Sequence, residues 1–203
     1  ILAYTVLLND IDAEGETLAS LESGYKAGIL DGLGHTVSNF MMQRGFVHGI
    51  DATGGIKNIQ FVNFLQDCSV AGKGAVAFGT LAVDNAGTIE NVMLKGKLVN
   101  VPNADHYGLI FKGALENSVC KNVFAELYTD GVANHYTGPM WATDTGNYTL
   151  SNVAIVFNGT PYHKDYTPSQ VISYATIEDF ISVVDLSLWN GWTIEDGKFA
   201  MSA

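Results

Sequence analysis

Five asparagines of this chain lie in the same local setting, with an apolar residue two positions before each and another directly after it. The first step between successive asparagines is short, whereas the three later steps are each close to thirty positions. A period of this length indicates stacked structural repeats. The five segments are Val37-Ser38-Asn39-Phe40, Ile56-Lys57-Asn58-Ile59, Ile89-Glu90-Asn91-Val92, Cys120-Lys121-Asn122-Val123 and Leu150-Ser151-Asn152-Val153.

The apolar pattern changes phase at each asparagine. In an unbroken strand alternate residues face the same side, so positions −2 and +1 should face opposite sides. Both are apolar here, and the chain must therefore bend between them. Asparagine tolerates the left-handed conformation of such a bend, and stacked amides can bond to one another. We therefore expect a β-solenoid corner with a ladder of Asn39, Asn58, Asn91, Asn122 and Asn152.

This interpretation predicts which residues stack inside the fold. One inward column should contain Val37, Ile56, Ile89, Cys120 and Leu150. The next should contain Phe40, Ile59, Val92, Val123 and Val153. Glycines that precede apolar strands recur with nearly the same period and support the interpretation as stacked repeats. They are Gly45, Gly74, Gly108 and Gly138. A β-sandwich with evenly spaced strands is the alternative.

Composition narrows the possible partners. The 203 residues suit one domain, and no apolar run is long enough to span a membrane, so we expect no membrane insertion. A net charge of −11 with a single arginine, Arg44, provides no basic stripe for phosphates, so we expect no nucleic-acid partner. The alternating acids Asp10, Asp12 and Glu14 lack the rest of a calcium-binding pattern, and we expect no metal or cofactor.

Two motifs resemble a known group of proteins. The segment from Lys26 to Asn39, KAGILDGLGHTVSN, resembles the GxLDGxGHTISN opening of right-handed parallel β-helices in large bacterial surface proteins. The segment from Gly45 to Gly49, followed by Gly55-Ile56-Lys57-Asn58, resembles their GLUG-type repeat. The resemblance covers about residues 1–158, although the later copies lose part of the glycine bracket.

The resemblance implies a right-handed parallel β-helix of about five to six rungs. It also implies an extracellular or cell-surface module without catalytic activity, acting in adhesion, in glycan or protein binding, or as a spacer. One alternative is a phage virion appendage with a receptor-binding role, which would be a symmetric oligomer. A carbohydrate-active enzyme, a lyase or a hydrolase, is the other.

The end of the chain predicts a short helix and a strand. Thr176 is a candidate N-cap with an acid three residues later, and apolar residues follow at helical spacing from Ile177 to Val184. We expect rungs over residues 1–168 and a C-terminal cap of the same domain over residues 169–203, covering the last rung.

Pairs of histidine and tyrosine recur about once per rung. The steps from His106 to His135 and from His135 to Tyr162 are both close to the period of the asparagines. Aromatic faces beside polar groups suit sugars, so we expect a glycan platform, although the rings could instead pack against one another. The candidate platform residues are His106, Tyr107, His135, Tyr136, Trp141, Tyr162 and His163.

Catalysis is not expected from the pattern of acids. A glycosidase needs two carboxylates at a defined separation, and the acids here are scattered along the chain. His35 has no acid partner at helical or adjacent-rung spacing. The sequence therefore predicts no catalytic residues.

Overall fold

The computed structural model describes residues 4–18, 25–43, 45–70, 78–100, 107–114, 117–129, 137–138, 147–158 and 171–202. Most of them lie in β-strands. The strands are β1 (Tyr4–Val6), β2 (Ile11–Asp12), β3 (Thr17–Leu18), β4 (Tyr25–Lys26), β5 (Ile29–Asp31), β6 (Thr36–Ser38), β7 (Met41–Met42), β8 (Val47–Ile50), β9 (Gly55–Asp67), β10 (Phe78–Gly79), β11 (Ala82–Asn85), β12 (Thr88–Val99), β13 (Tyr107–Gly108), β14 (Phe111–Ala114), β15 (Val119–Thr129), β16 (Thr137–Gly138), β17 (Thr149–Phe157), β18 (Val171–Tyr174), β19 (Trp192–Glu195) and β20 (Lys198–Met201). Helix α1 spans Ile177–Val183, and 3-10 turns span Cys68–Val70 and Leu186–Leu188.

Parallel pairing dominates the described part of the chain. Its main sheet has eleven strands, ordered β1-β5-β9-β12-β15-β17-β18, with β2-β6 and β3-β7 attached to β9. Strands β14-β11-β8-β4 form a second sheet and β10-β13-β16 a third. The pairs in these sheets are parallel, for example β12 with β9 and with β15. Among the described strands, antiparallel pairing is confined to the hairpin of β19 and β20.

The register of the main sheet follows the repeat. Ile89 is aligned with Ile56 on one side and with Cys120 on the other. Parallel neighbours require a crossover through other parts of the fold, which a sandwich of hairpins does not provide. The all-β, parallel prediction is confirmed, and the pairing is consistent with a β-solenoid. We call the strands contributed by one repeat a layer.

The asparagine bend is confirmed as well. Asn58, Asn91, Asn122 and Asn152 have φ values of 50°, 52°, 52° and 52°. Each lies within a long strand, and the apolar residues at positions −2 and +1 pack in the same core. The slip in phase therefore comes from one left-handed residue in each layer, and the register of neighbouring layers is kept through it.

The predicted columns are correct in four layers and wrong in one. Val37 is aligned with Phe61 rather than with Ile56. Phe40 stacks on Phe64 at 5.5 Å between ring centroids. The position aligned with Ile56 in the preceding layer belongs to Leu30. The short step between the first two asparagines of the motif does not separate equivalent positions, because the first asparagine lies at a different corner.

The glycine column also differs from the prediction at one position. Gly79 aligns with Gly108, and Gly108 with Gly138. Gly45 lies against this column, since a Cβ there would lie 2.5 Å from the carbonyl oxygen of Gly79, but the pairing of Val47 with Ala82 places it one position out of register. Gly79 therefore occupies the position predicted for Gly74, which lies outside the described residues. Within the segment from Gly74 to Gly79, the glycine that aligns with Gly108 is therefore the last one.

A second hydrophobic cluster lies on the outer face of the main sheet. Met93 lies between two residues of the inner core, Val92 and Leu94, and strand alternation therefore turns it outward. It packs with Phe124, Ala154 and Val156, and with four residues from the end of the chain: Phe180, Trp189, Trp192 and Phe199. The C-terminal segment therefore covers the outer face of the sheet, besides pairing beside β17 through β18.

The predicted helix is confirmed, since Thr176 Oγ1 accepts a hydrogen bond from the backbone N–H of Asp179 at 3.1 Å. Cys68 and Cys120 are buried free thiols. Burial raises the pKa of Cys120, so this thiol stays protonated. No helix in the described part of the chain is both long and apolar enough to cross a membrane.

Candidate functional site

The asparagine side chains of the main corner form one continuous ladder. The amide of Asn152 donates to Asn122 Oδ1 at 2.8 Å, and the amide of Asn122 donates to Asn91 Oδ1 at 2.9 Å. Asn91 donates in turn to Asn58 Oδ1 at 3.0 Å. Every bond points toward the N-terminal layers. The ladder prediction therefore holds for four of its five members, and the exception is Asn39.

The ladder ends on a carboxylate. The amide of Asn58 donates to Asp31 Oδ1 at 3.0 Å. Asp31 also accepts from the Tyr4 hydroxyl at 2.6 Å and lies 3.3 Å from Lys57 Nζ. A carboxylate only accepts, so Asp31 provides the acceptor for Asn58, the last donor of the column. At the opposite end, the amide of Asn152 also donates to the carbonyl of Leu188.

The surroundings of Asp31 favour its charged form. Burial alone would raise its pKa, but hydrogen bonds from Tyr4, Asn58 and the backbone of Leu33, together with Lys57, lower that pKa to about 2. The residue is almost fully buried, with 4% of its surface exposed. The carboxylate is therefore committed to the ladder at every pH at which a protein normally works.

This lowered pKa predicts an acid-dependent loss of stability. The pKa falls from 3.8 to about 2 on folding, so the stabilisation by Asp31 is complete above about pH 4 and is lost as the pH falls through 2. We expect the parent to lose about 2 kcal/mol more unfolding free energy between pH 4.5 and 2 than Asp31→Asn, which cannot titrate. Urea unfolding across this range measures the difference. Equal pH slopes in the two proteins would contradict the assignment.

Asn39 belongs to a second, shorter ladder. Its amide donates to Asp12 Oδ1 at 2.9 Å, and the amide of Asn63 donates to Asn39 Oδ1. Asn39 and Asn63 have φ values of 57° and 52°, so this corner uses the same left-handed residue. The ladder again ends on an aspartate in the N-terminal direction.

The second ladder stops above Asn63 because the next layer has no equivalent residue. Val62 is aligned with Lys95 and Phe64 with Gly96, so no residue of β12 faces Asn63. A Cβ on Gly96 would lie 2.6 Å from the ring of Phe64. Gly96 therefore leaves the space that the ring fills, and the outer surface is indented beside it.

Two adjoining cavities, of about 360 and 300 Å³, lie at this indentation. We call them together the Gly96 groove. They share Asn63, Phe64 and Lys97. The remaining lining residues are Val62, Lys95, Gly96 and Tyr128 in the larger cavity, and Gly15, Asn39, Phe40, Met41 and Leu65 in the smaller one.

The polar side chains beside the groove are fixed by one buried carboxylate. Glu126 is 6% exposed, and its Oε2 lies 2.6 Å from Lys95 Nζ. The hydroxyl of Tyr128 donates to Glu126 Oε1. Burial, together with this hydrogen bond and the charge of Glu126, raises the pKa of Tyr128 to about 12. The phenol therefore remains protonated and held in one orientation.

The glycan platform predicted from the sequence falls almost entirely outside the described residues. This applies to six of its seven members, His106, His135, Tyr136, Trp141, Tyr162 and His163. Tyr107 begins strand β13, where its backbone aligns with Phe78 and Thr137 in the neighbouring layers. The platform stays a prediction.

His35 has an acid partner that the sequence argument excluded. Its Nδ1 lies 3.1 Å from Asp10 Oδ1, and the backbone N–H of Thr36 donates to the same oxygen at 2.9 Å. The prediction was wrong because Asp10 lies 25 residues earlier, in the preceding layer. Within the described part of the chain, no three histidines, cysteines or acids are grouped to hold a metal ion.

The sequence contains a signal for two corner asparagines that lie outside the predicted ladder. Phe61-Val62-Asn63-Phe64 repeats the asparagine motif, as does Leu98-Val99-Asn100-Val101. Asn100 also has a positive φ, 53°, and donates to Asp67 at 3.0 Å. Nothing comparable marks the groove, because it depends on the residue that β12 lacks opposite Asn63.

No protein-family model matches the chain, and no curated protein or solved structure matches it either.

Proposed function

We propose that this chain is a right-handed parallel β-helix segment of a large surface protein, located outside the cell, and that it serves as a rigid, non-catalytic binding scaffold. The ladder from Asn152 to Asp31 is the observation that carries the proposal. Its side-chain hydrogen bonds join five successive layers, and they come in addition to the backbone hydrogen bonds between the strands. Such a column favours a stiff body that holds its loops at fixed spacing.

The state of the buried carboxylates supports a role without catalysis. A general acid must hold a proton near neutral pH, whereas the pKa of Asp31 is lowered to about 2. Glu126 is bound between Lys95 and the Tyr128 hydroxyl. Both carboxylates therefore serve to fix neighbouring layers rather than to transfer protons.

The loops provide the proposed contact with a glycan or a protein receptor. Histidine–tyrosine pairs recur near the layer period, and the layers at Tyr107 and Thr137 are in register. Neighbouring pairs on aligned layers would present their rings at one edge. The combination of aromatic rings and polar groups suits sugar recognition.

A glycan array with the purified chain tests this function. We expect binding without turnover, and we expect Tyr136→Ala with Trp141→Ala to weaken binding while leaving the melting temperature nearly unchanged. If the two aromatics were core residues instead, their truncation would cost about 3 to 5 kcal/mol each. Hydrolysis or elimination of a bound glycan, abolished by changing one carboxylate, would contradict the non-catalytic assignment.

A further inference from the structure

We infer that the Gly96 groove binds an acidic polysaccharide, with a sugar carboxylate against Lys97 and a ring hydroxyl donating to Asn63. This deepens the proposed binding role and rests on it. The inferred site lies on the outer face of the layers and uses none of the histidine–tyrosine pairs.

The groove has the size and floor of a ligand site. Its two parts measure about 360 and 300 Å³, and ligand pockets typically span about 300 to 1,000 Å³. Val62 and Phe64 line the larger part, and Met41, which is 41% exposed, lines the smaller one. An apolar floor of this kind suits the C–H face of a sugar ring.

Asn63 supplies a hydrogen-bond acceptor that the fold leaves open. Its amide nitrogen donates to Asn39, and among the described residues no donor reaches its Oδ1. In the main ladder the equivalent oxygen of Asn58 accepts from the next layer. At Asn63 the next layer has no residue to donate, so an incoming hydroxyl can occupy the vacant position of the ladder.

The charge of the groove is opposite to that of the chain. The chain has a net charge of −11, yet the residues lining the groove include two lysines and no acid. Lys95 Nζ lies 2.6 Å from Glu126 Oε2, and the side chain of Lys97 reaches the surface. A cationic surface on an acidic protein attracts an anionic ligand and directs it to one place. A carboxylated sugar matches all three features, since its carboxylate can pair with lysine, a hydroxyl can donate to Asn63, and its C–H face can pack on the apolar residues.

Calorimetric titration with α-1,4-linked galacturonate hexamer, compared with neutral maltohexaose, tests the inference. We expect the parent to bind the hexagalacturonate and not the maltohexaose. We expect Lys97→Glu to lower the affinity for the hexagalacturonate about tenfold or more. The matched control is Lys121→Glu, the same charge change at an exposed lysine beyond the asparagine corner, which should stay within about twofold. Melting curves of both variants establish that they are folded.

A second variant isolates the acceptor. Asn63→Gly keeps the left-handed conformation and removes the amide, so we expect weaker binding by a folded protein. Equal affinity for the neutral sugar, unchanged affinity of Lys97→Glu, equal binding of a poly-glutamate peptide, or no binding of the galacturonate would each overturn the inference. Glycan binding that depends on Tyr136 and Trp141 alone would leave the proposed function intact. Turnover of the probe would contradict that function instead.

Discussion

Phe124→Ala is expected to lower the unfolding free energy by about 3 to 5 kcal/mol. The Phe124 side chain has no exposed surface. Its ring lies 4.9 Å from that of Phe180 and 5.0 Å from that of Phe199, between ring centroids. Truncation leaves a cavity between the outer face of the sheet and the C-terminal segment, and it removes the aromatic contacts that hold the two together. Urea unfolding followed by tryptophan fluorescence measures the loss.

Phe124→Leu is the matched control, because it retains most of the volume and should cost about 1 to 2 kcal/mol. Hydrogen exchange gives a second reading. In the alanine variant we expect faster exchange in α1, β19 and β20 than in β9, since the inner core lies on the opposite face of the sheet. Uniform acceleration across all strands would indicate that the C-terminal segment and the layers unfold as one unit.

Asn122→Leu is expected to cost about 3 kcal/mol or more, through strain and lost hydrogen bonds together. Asn122 has φ 52° and is 2% exposed, so a branched side chain would be strained there. The change also deprives Asn91 of a donor and Asn152 of an acceptor within the ladder. Thermal or urea unfolding provides the measurement. Unfolding free energies indistinguishable from the parent would refute the ladder as a source of stability.

Asn122→Gly separates the two contributions. Glycine adopts a positive φ without strain but forms no side-chain hydrogen bond. We therefore expect it to be destabilised mainly by the lost bonds, by about 1 to 3 kcal/mol, with a smaller cost from the flexible unfolded chain, and to be more stable than the leucine variant. If the two variants are equally unstable, the conformational contribution of asparagine at this corner is negligible.

The parallel layers and their corner could be predicted because both leave local marks in the sequence. The phase of the apolar pattern changes close to each asparagine, and strand alternation converts that change directly into a bend. The error at Asn39 has a physical origin. Layers containing β6 or β9 bend at a second corner, at Asn39 and Asn63, whereas β12 passes that position without a bend.

Other features depend on contacts between layers and could not be predicted from one segment. Asp31 and Asp12 each precede their ladder asparagine by 27 residues, a coincidence that gains meaning only when the register is known. The pairing of His35 with Asp10 also joins two layers and can be recognised only when the register is known. The groove is the clearest case, because its shape comes from a residue missing opposite Asn63, and a missing residue leaves no motif.

The single direction of the main ladder makes its middle asparagines equivalent to one another. Each amide between the two ends receives one bond from the following layer and gives one to the preceding layer. A duplicated or deleted layer would therefore leave every remaining ladder amide with the same kind of partner. The ends differ, because the last amide at one end donates to a carboxylate, at Asp31, whereas at the other end the amide of Asn152 also donates to the carbonyl of Leu188. The ladder by itself therefore sets no limit on the number of layers, and only its N-terminal end needs a different residue, an acceptor such as Asp31.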